Sequence, residues 1–86
     1  MKLCMVGTGY VGLVSGACFA ETGNDVICAD INADKVAILE KGEIPIFEPG
    51  LDTMVERNRA AGRLSFSADP PEAIAQSQVI FVSLGT

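Results

Sequence analysis

Val6-Gly7-Thr8-Gly9-Tyr10-Val11-Gly12-Leu13 is the stretch on which the reading of this chain turns. Ahead of it, Lys2-Leu3-Cys4-Met5-Val6 is an apolar run too short for a helix, the signature of a buried strand. Behind it, residues 10–22 place Val11, Val14, Cys18 and Phe19 at helical spacing, with Ala17 and Ala20 as good helix formers. A G-x-G-x-x-G pattern is weak alone and gains meaning between a strand and a helix. Gly7 allows the tight turn, Gly9 offers bare backbone for close approach, and Gly12 lets the helix pack near the strand. The first N–H groups of the helix then point outward at the positive end of its dipole, where a pyrophosphate binds. Tyr10 and Val11 are the exposed residues of the turn and are expected to touch that ligand. A glycine turn that binds nothing is the plainer alternative.

Working outward, Gly23 and Asn24 end the first helix. Asp25 to Asp30 encloses Val26, Ile27, Cys28 and Ala29 and reads as a second buried strand. It closes on Asp30, about 20 residues beyond the glycines, where an acid binds the adenosine ribose hydroxyls. A carboxylate accepts two hydroxyl hydrogen bonds and repels a 2′-phosphate, which favours NAD over NADP; a simple turn residue is the alternative. Asn32 caps a second helix carrying Val36, Ile38 and Leu39 and stopping at Gly42. Lys35, in its first turn, either reaches toward Asp30 and the ribose or is a solvated helix lysine.

Residues 43–49 hold two prolines and read as a stiff extended loop. A third helix follows, with Leu51, Met54 and Val55 on one face, ending near Gly62. Leu64 to Ser67 is a third strand. Asp69-Pro70-Pro71-Glu72 starts a fourth helix, with Asp as cap, Pro at the first helical position and Glu where a capping box needs it. Gln78 to Leu84 is a fourth strand. Strands alternating with helices imply parallel pairing and right-handed crossovers, and continuous apolar strands imply burial on both faces. The fold class is therefore α/β: the first half of a Rossmann-type parallel sheet, about four strands with flanking helices, over residues 1–86. Ligands sit beyond the carboxyl ends of such strands, so Gly85 and Thr86 either wall the cofactor or form a plain loop.

Composition excludes several functions. The 86 residues suffice for one small domain. A net charge of -5 and the lack of a basic cluster argue against nucleic acid or an anionic membrane as partner. No apolar run reaches transmembrane length and no secretory signal is evident. There is no histidine, so no histidine proton shuttle or metal ligand. Cys4, Cys18 and Cys28 lack metal-site spacing and read as buried, reduced thiols in a cytoplasmic protein. Neither a metal site nor a catalytic residue is assigned. A mean hydropathy of +0.36 is high for so short a chain and implies a dense core or a surface awaiting a partner.

Four segments together resemble the N-terminus of the UDP-glucose and GDP-mannose dehydrogenase family. They are Val6 to Leu13, Asp30 with Lys35, Pro45-Ile46-Phe47-Glu48-Pro49-Gly50-Leu51, and Val82-Ser83-Leu84-Gly85-Thr86. The resemblance covers the whole chain. It implies that Gly7, Gly9, Tyr10, Val11 and Gly12 bind the NAD pyrophosphate, that Asp30 and Lys35 take the adenosine ribose, and that Thr86 lies near the cofactor. It also implies two-step NAD-dependent oxidation of a sugar C6 alcohol to a carboxylate through a catalytic cysteine. Family enzymes are several times longer, and none of the three cysteines here matches that nucleophile. The expected partners are thus NAD, a UDP-sugar only in a full-length enzyme, and a second copy through the exposed fourth strand. A stand-alone NAD module, a flavin-binding fragment and a methyltransferase-like nucleotide site are the competing readings.

Overall fold

The computed structural model describes residues 1–7, 9–41, 43 and 49–82, with Tyr10 described by its backbone alone. Most of the proline-rich loop, the Gly42 stop and residues 83–86, Thr86 included, lie outside the described residues. The elements are β1 (Lys2–Val6), α1 (Tyr10–Glu21), β2 (Asp25–Ala29), α2 (Ala33–Glu40), α3 (Leu51–Ala60), β3 (Leu64–Ser67), α4 (Pro70–Ala75) and β4 (Val79–Val82). The strands form one parallel sheet in the order β3-β2-β1-β4.

The pleat sends alternate side chains to opposite faces, and the two faces are covered unequally. Leu3, Met5, Val26, Cys28, Leu64 and Phe66 share a core with residues of α1, α2 and α3. Cys4, Ile27 and Ala29 face the other way and meet Ala73 of α4. The chain thus steps from β1 to β2 to β3 along one side, then crosses back under α4 to place β4 on the far side of β1. The order reverses between β1 and β4, the switch point at which open α/β sheets form their ligand crevice.

Helix ends follow the sequence closely. Asn32 accepts the Lys35 N–H and caps α2; Asp69 accepts the Glu72 N–H and caps α4. The capping box at Asp69 is only half built, because the Asp69 N–H donates to the Ser67 hydroxyl. Helix α1 closes with Gly23 at φ +100, its N–H on the Ala20 carbonyl and the Asn24 N–H on the Phe19 carbonyl. Helix α3 ends the same way, with Gly62 on Arg59 and Arg63 on Asn58. Both are paired six-to-one and five-to-two closures that need a left-handed residue.

Three expectations are corrected. The buried stripe of α1 is Leu13, Ala17 and Ala20 with Gly12 and Gly16, while Cys18 is exposed, Val14 and Phe19 are only partly covered, and Val11 is exposed as its place in the turn predicts. The reason is distance: a Cβ on Gly16 would lie 2.7 Å from Cys28 Sγ, so the helix hugs the sheet through small residues. In α2, Val36 and Leu39 are buried but Ile38 faces solvent. Finally, β4 is not buried on both faces: Val79 is half-covered and Ile80, Phe81 and Val82 are exposed. It is an outer strand, and Phe81 stacks on Phe19 of α1 at 5.1 Å between ring centres.

Candidate functional site

Two turns at the carboxyl ends of β1 and β2 carry the expected site. Gly7 leaves β1 at φ +100, a conformation that favours glycine, and its N–H donates to the Ala29 carbonyl at 2.7 Å. Gly9 is the N-cap of α1 with extended backbone, and a Cβ added there meets nothing within 4 Å. The space beside it is open. Gly9 supplies no capping side chain, and the first turn of α1 contains no acidic residue. The Leu13 N–H closes the first helical turn on the Gly9 carbonyl at 2.9 Å. This leaves the positive end of a twelve-residue helix next to the open space beside Gly9, which suits a pyrophosphate. Gly12 is buried in that turn and Val11 is 63% exposed.

Asp30 stands one residue past β2. Its N–H donates to the Ser67 carbonyl at 3.0 Å, fixing it to the end of β3. Oδ1 accepts the Asn32 N–H at 2.9 Å, and Lys35 Nζ lies 4.0 Å from Oδ2. Asn32 in turn accepts the Lys35 N–H at 3.1 Å. Asp30, Asn32 and Lys35 therefore form a closed ring of contacts at the start of α2. The structure brings the Lys35 ammonium beside Asp30. Asn32 was read only as a cap; its second job, holding Asp30 through its own N–H, is signalled by its place two residues after an aspartate, the spacing of an Asx turn. Ile31, between them, is 86% exposed.

The thiols lie apart from this site. Burial pushes Cys28 up to about 12, with Cys4 adding a smaller push. Burial also raises Cys4, against a hydrogen bond from Ser77. Both are inert as nucleophiles at neutral pH. Cys18 is solvent-exposed, contrary to expectation, because it faces away from the small-residue stripe of α1. Among the described residues no cluster of His, Cys, Asp and Glu side chains is arranged to hold a metal ion, and no helix is long and apolar enough to cross a membrane.

A parallel sheet reversing at its first strand, a glycine turn there and an acid at the end of the neighbouring strand define an α/β nucleotide-binding domain of the Rossmann class. The chain belongs to the UDP-glucose/GDP-mannose dehydrogenase family, as its NAD binding domain, and the family's pattern matches residues 1–86. NAD is accordingly the cofactor of this domain. The chain is 56% identical over its whole length to a UDP-glucose 6-dehydrogenase of Rhizobium meliloti, of which it covers 20%. It is 37% identical, again over its whole length, to 20% of a GDP-mannose 6-dehydrogenase of Pseudomonas aeruginosa. Among solved structures, a UDP-glucose dehydrogenase from Pyrobaculum islandicum superposes with a TM-score of 0.93 at 39% identity, over 99% of this chain and 20% of that one. The chain spans about a fifth of the length of the curated relatives it matches.

Proposed function

We propose that residues 1–86 form the first part of the NAD domain of an enzyme that oxidises the C6 alcohol of UDP-glucose to the carboxylate of UDP-glucuronate. The observation that carries this reading is the family match over the whole chain, joined to an open glycine turn at the switch point and an acid at the end of the neighbouring strand. UDP-glucose is favoured over GDP-mannose by the higher identity to relatives bearing that name, 56% against 37%. Two NAD accept the two hydrides that such a four-electron oxidation releases. Within this chain, Gly7, Gly9, Tyr10, Val11 and Gly12 surround the pyrophosphate with backbone N–H groups. Asp30 accepts from the adenosine ribose hydroxyls, Lys35 lies beside it, and Thr86 is the further residue that the family likeness assigns to the cofactor. No residue of the chain is given a part in proton or sulfur chemistry. A cytoplasmic setting suits three reduced cysteines and a soluble nucleotide cofactor. Isolated copies of the 86-residue chain associate through the outer face and edge of β4.

Titration with NAD, followed by calorimetry and amide chemical shifts, tests the site. Affinity near or weaker than about 1 mM is expected, only some 4 kcal/mol of binding. Shifts centre on Gly7 to Gly12 and Asp30, and an Asp30→Ala variant loses them. A folded chain that ignores millimolar NAD contradicts the assignment.

A further inference from the structure

We infer that Ser67 is a positioning residue for the cofactor: its hydroxyl ties the end of β3 to the start of α4, so that its carbonyl holds the Asp30 backbone in place. The inference rests on the reading of Asp30 as the acid that meets the adenosine ribose.

β3 is an outer strand of four residues, and among the described residues it pairs with β2 alone. The end of such a strand frays unless something beyond the ladder ties it down. Its last rung is the bond from the Asp30 N–H to the Ser67 carbonyl at 3.0 Å. Ser67 lies opposite Ala29 in the register, and the pleat puts its side chain on the face where Ala29 meets Ala73 of α4. There the hydroxyl accepts the Asp69 N–H at 3.0 Å and donates to the Asp69 carbonyl at 3.5 Å. Asp69 caps α4 by accepting the Glu72 N–H at 3.3 Å, and the buried Ala73 seats α4 on the sheet. The sheet therefore fixes α4, α4 fixes the end of β3, and the end of β3 fixes Asp30.

The unfinished capping box shows why this tie is separable from folding. In a complete box the N-cap N–H goes to the side chain of the acid three residues on. Here Ser67 takes that N–H in place of Glu72. Without the hydroxyl, Glu72 is placed to complete the box, so α4 keeps a full cap while β3 loses its tie.

The experiment compares the unaltered chain with Ser67→Ala, Ser67→Val, Ser67→Thr and Asp30→Ala. Valine and threonine have nearly one shape and differ by the hydroxyl. Amide hydrogen exchange reads the hold on Asp30, NAD titration followed by amide shifts reads the site, and thermal melting reads the fold. In the alanine and valine variants, exchange at the Asp30 amide is expected to quicken about 5- to 10-fold, and NAD to bind about 3- to 10-fold more weakly, the range of one hydrogen bond. The Gly7 amide, bonded to Ala29 on the other side of β2, keeps its rate. The threonine variant matches the unaltered chain. Unchanged exchange at Asp30, unchanged NAD affinity, or a threonine variant as impaired as valine overturns the inference. So does an alanine or valine chain that fails to fold, or that exchanges faster at Gly7 and Asp30 alike, since the hydroxyl then props the fold as a whole. In each of these cases a loss of NAD affinity in Asp30→Ala leaves the ribose-acid reading standing. An Asp30→Ala chain that binds NAD as tightly as the unaltered one refutes that reading, and the inference falls with it.

Discussion

At position 16 a hydrogen stands where any other residue would put carbon. The Cβ of an alanine there would meet Cys28 Sγ at 2.7 Å, with Val26 and Met5 next in line. Alanine favours a helix over glycine by about 1 kcal/mol, so the two effects oppose. The contact is backed by a fully buried side chain with nowhere to move, and overpacking of this kind costs about 1–3 kcal/mol. Gly16→Ala is therefore expected to lower stability in urea unfolding, and Cys28→Ala in the same chain to return part of the loss through a favourable coupling. A Gly16→Ala protein more stable than its parent means that α1 stands further from the sheet than described. The same crowding explains why Cys28, though a thiol, has no chemistry: its surroundings suppress the thiolate.

Between elements, one polar clamp holds α3 against α1. Asn58 is fully buried yet satisfied: its amide donates to the Met54 carbonyl at 2.8 Å and reaches Glu21 at 3.4 Å, while its oxygen accepts from Arg63 Nε at 3.1 Å. Arg63 also donates to the Ala20 carbonyl near the end of α1. Arg57, on the outside, pairs with Glu21 and holds that carboxyl below its usual range. Asn58→Ala strips a partner from buried groups and is expected to cost about 1–3 kcal/mol, read as a lower denaturation midpoint. Arg57→Ala, at an exposed pair, shifts the midpoint far less.

The elements themselves were legible because their punctuation is local. Asn32, Asp69, Gly23 and Gly62 act on backbone groups a few residues away, and a single sequence contains both partners. The site was legible to the same extent: Gly7, Gly9 and Asp30 are defined by where strands end. The packed face of α1 was not. Periodicity weights large apolar residues, whereas close approach to a sheet selects small ones, and Cys18 was misplaced for that reason. Asn58 gave no apolar signal; its burial depends on Arg63, five residues on, and on Glu21, which the fold brings from α1.

The whole molecule is lopsided. Among the described residues three helices cover one face of the sheet and only the six-residue α4 covers the other. Among the described residues β4 pairs with β1 alone, leaving its other edge and the side chains of Ile80, Phe81 and Val82 exposed. Unprotected apolar edges pair with one another, and a lysine on such a strand blocks the contact. Sedimentation of the 86-residue chain is expected to show concentration-dependent association, and Val82→Lys, at a position already 64% exposed, to reduce it without loss of folding. A parent chain that sediments as a monomer at high concentration removes the basis for the pairing.

The hydrogen bond from Gly7 to Ala29 joins the glycine turn to the residue just before Asp30. The backbone span between the two grips proposed for NAD is therefore a strand spacing, about 4.8 Å. It is gauged across the sheet, although more than twenty residues separate the grips along the polypeptide. Lengthening the connection at Gly23 and Asn24, at the opposite end of the strands, alters the contour of the chain and leaves that gauge untouched. The proposed NAD site thus takes its width from a ruler made of backbone, which frees the far side of the fold to vary.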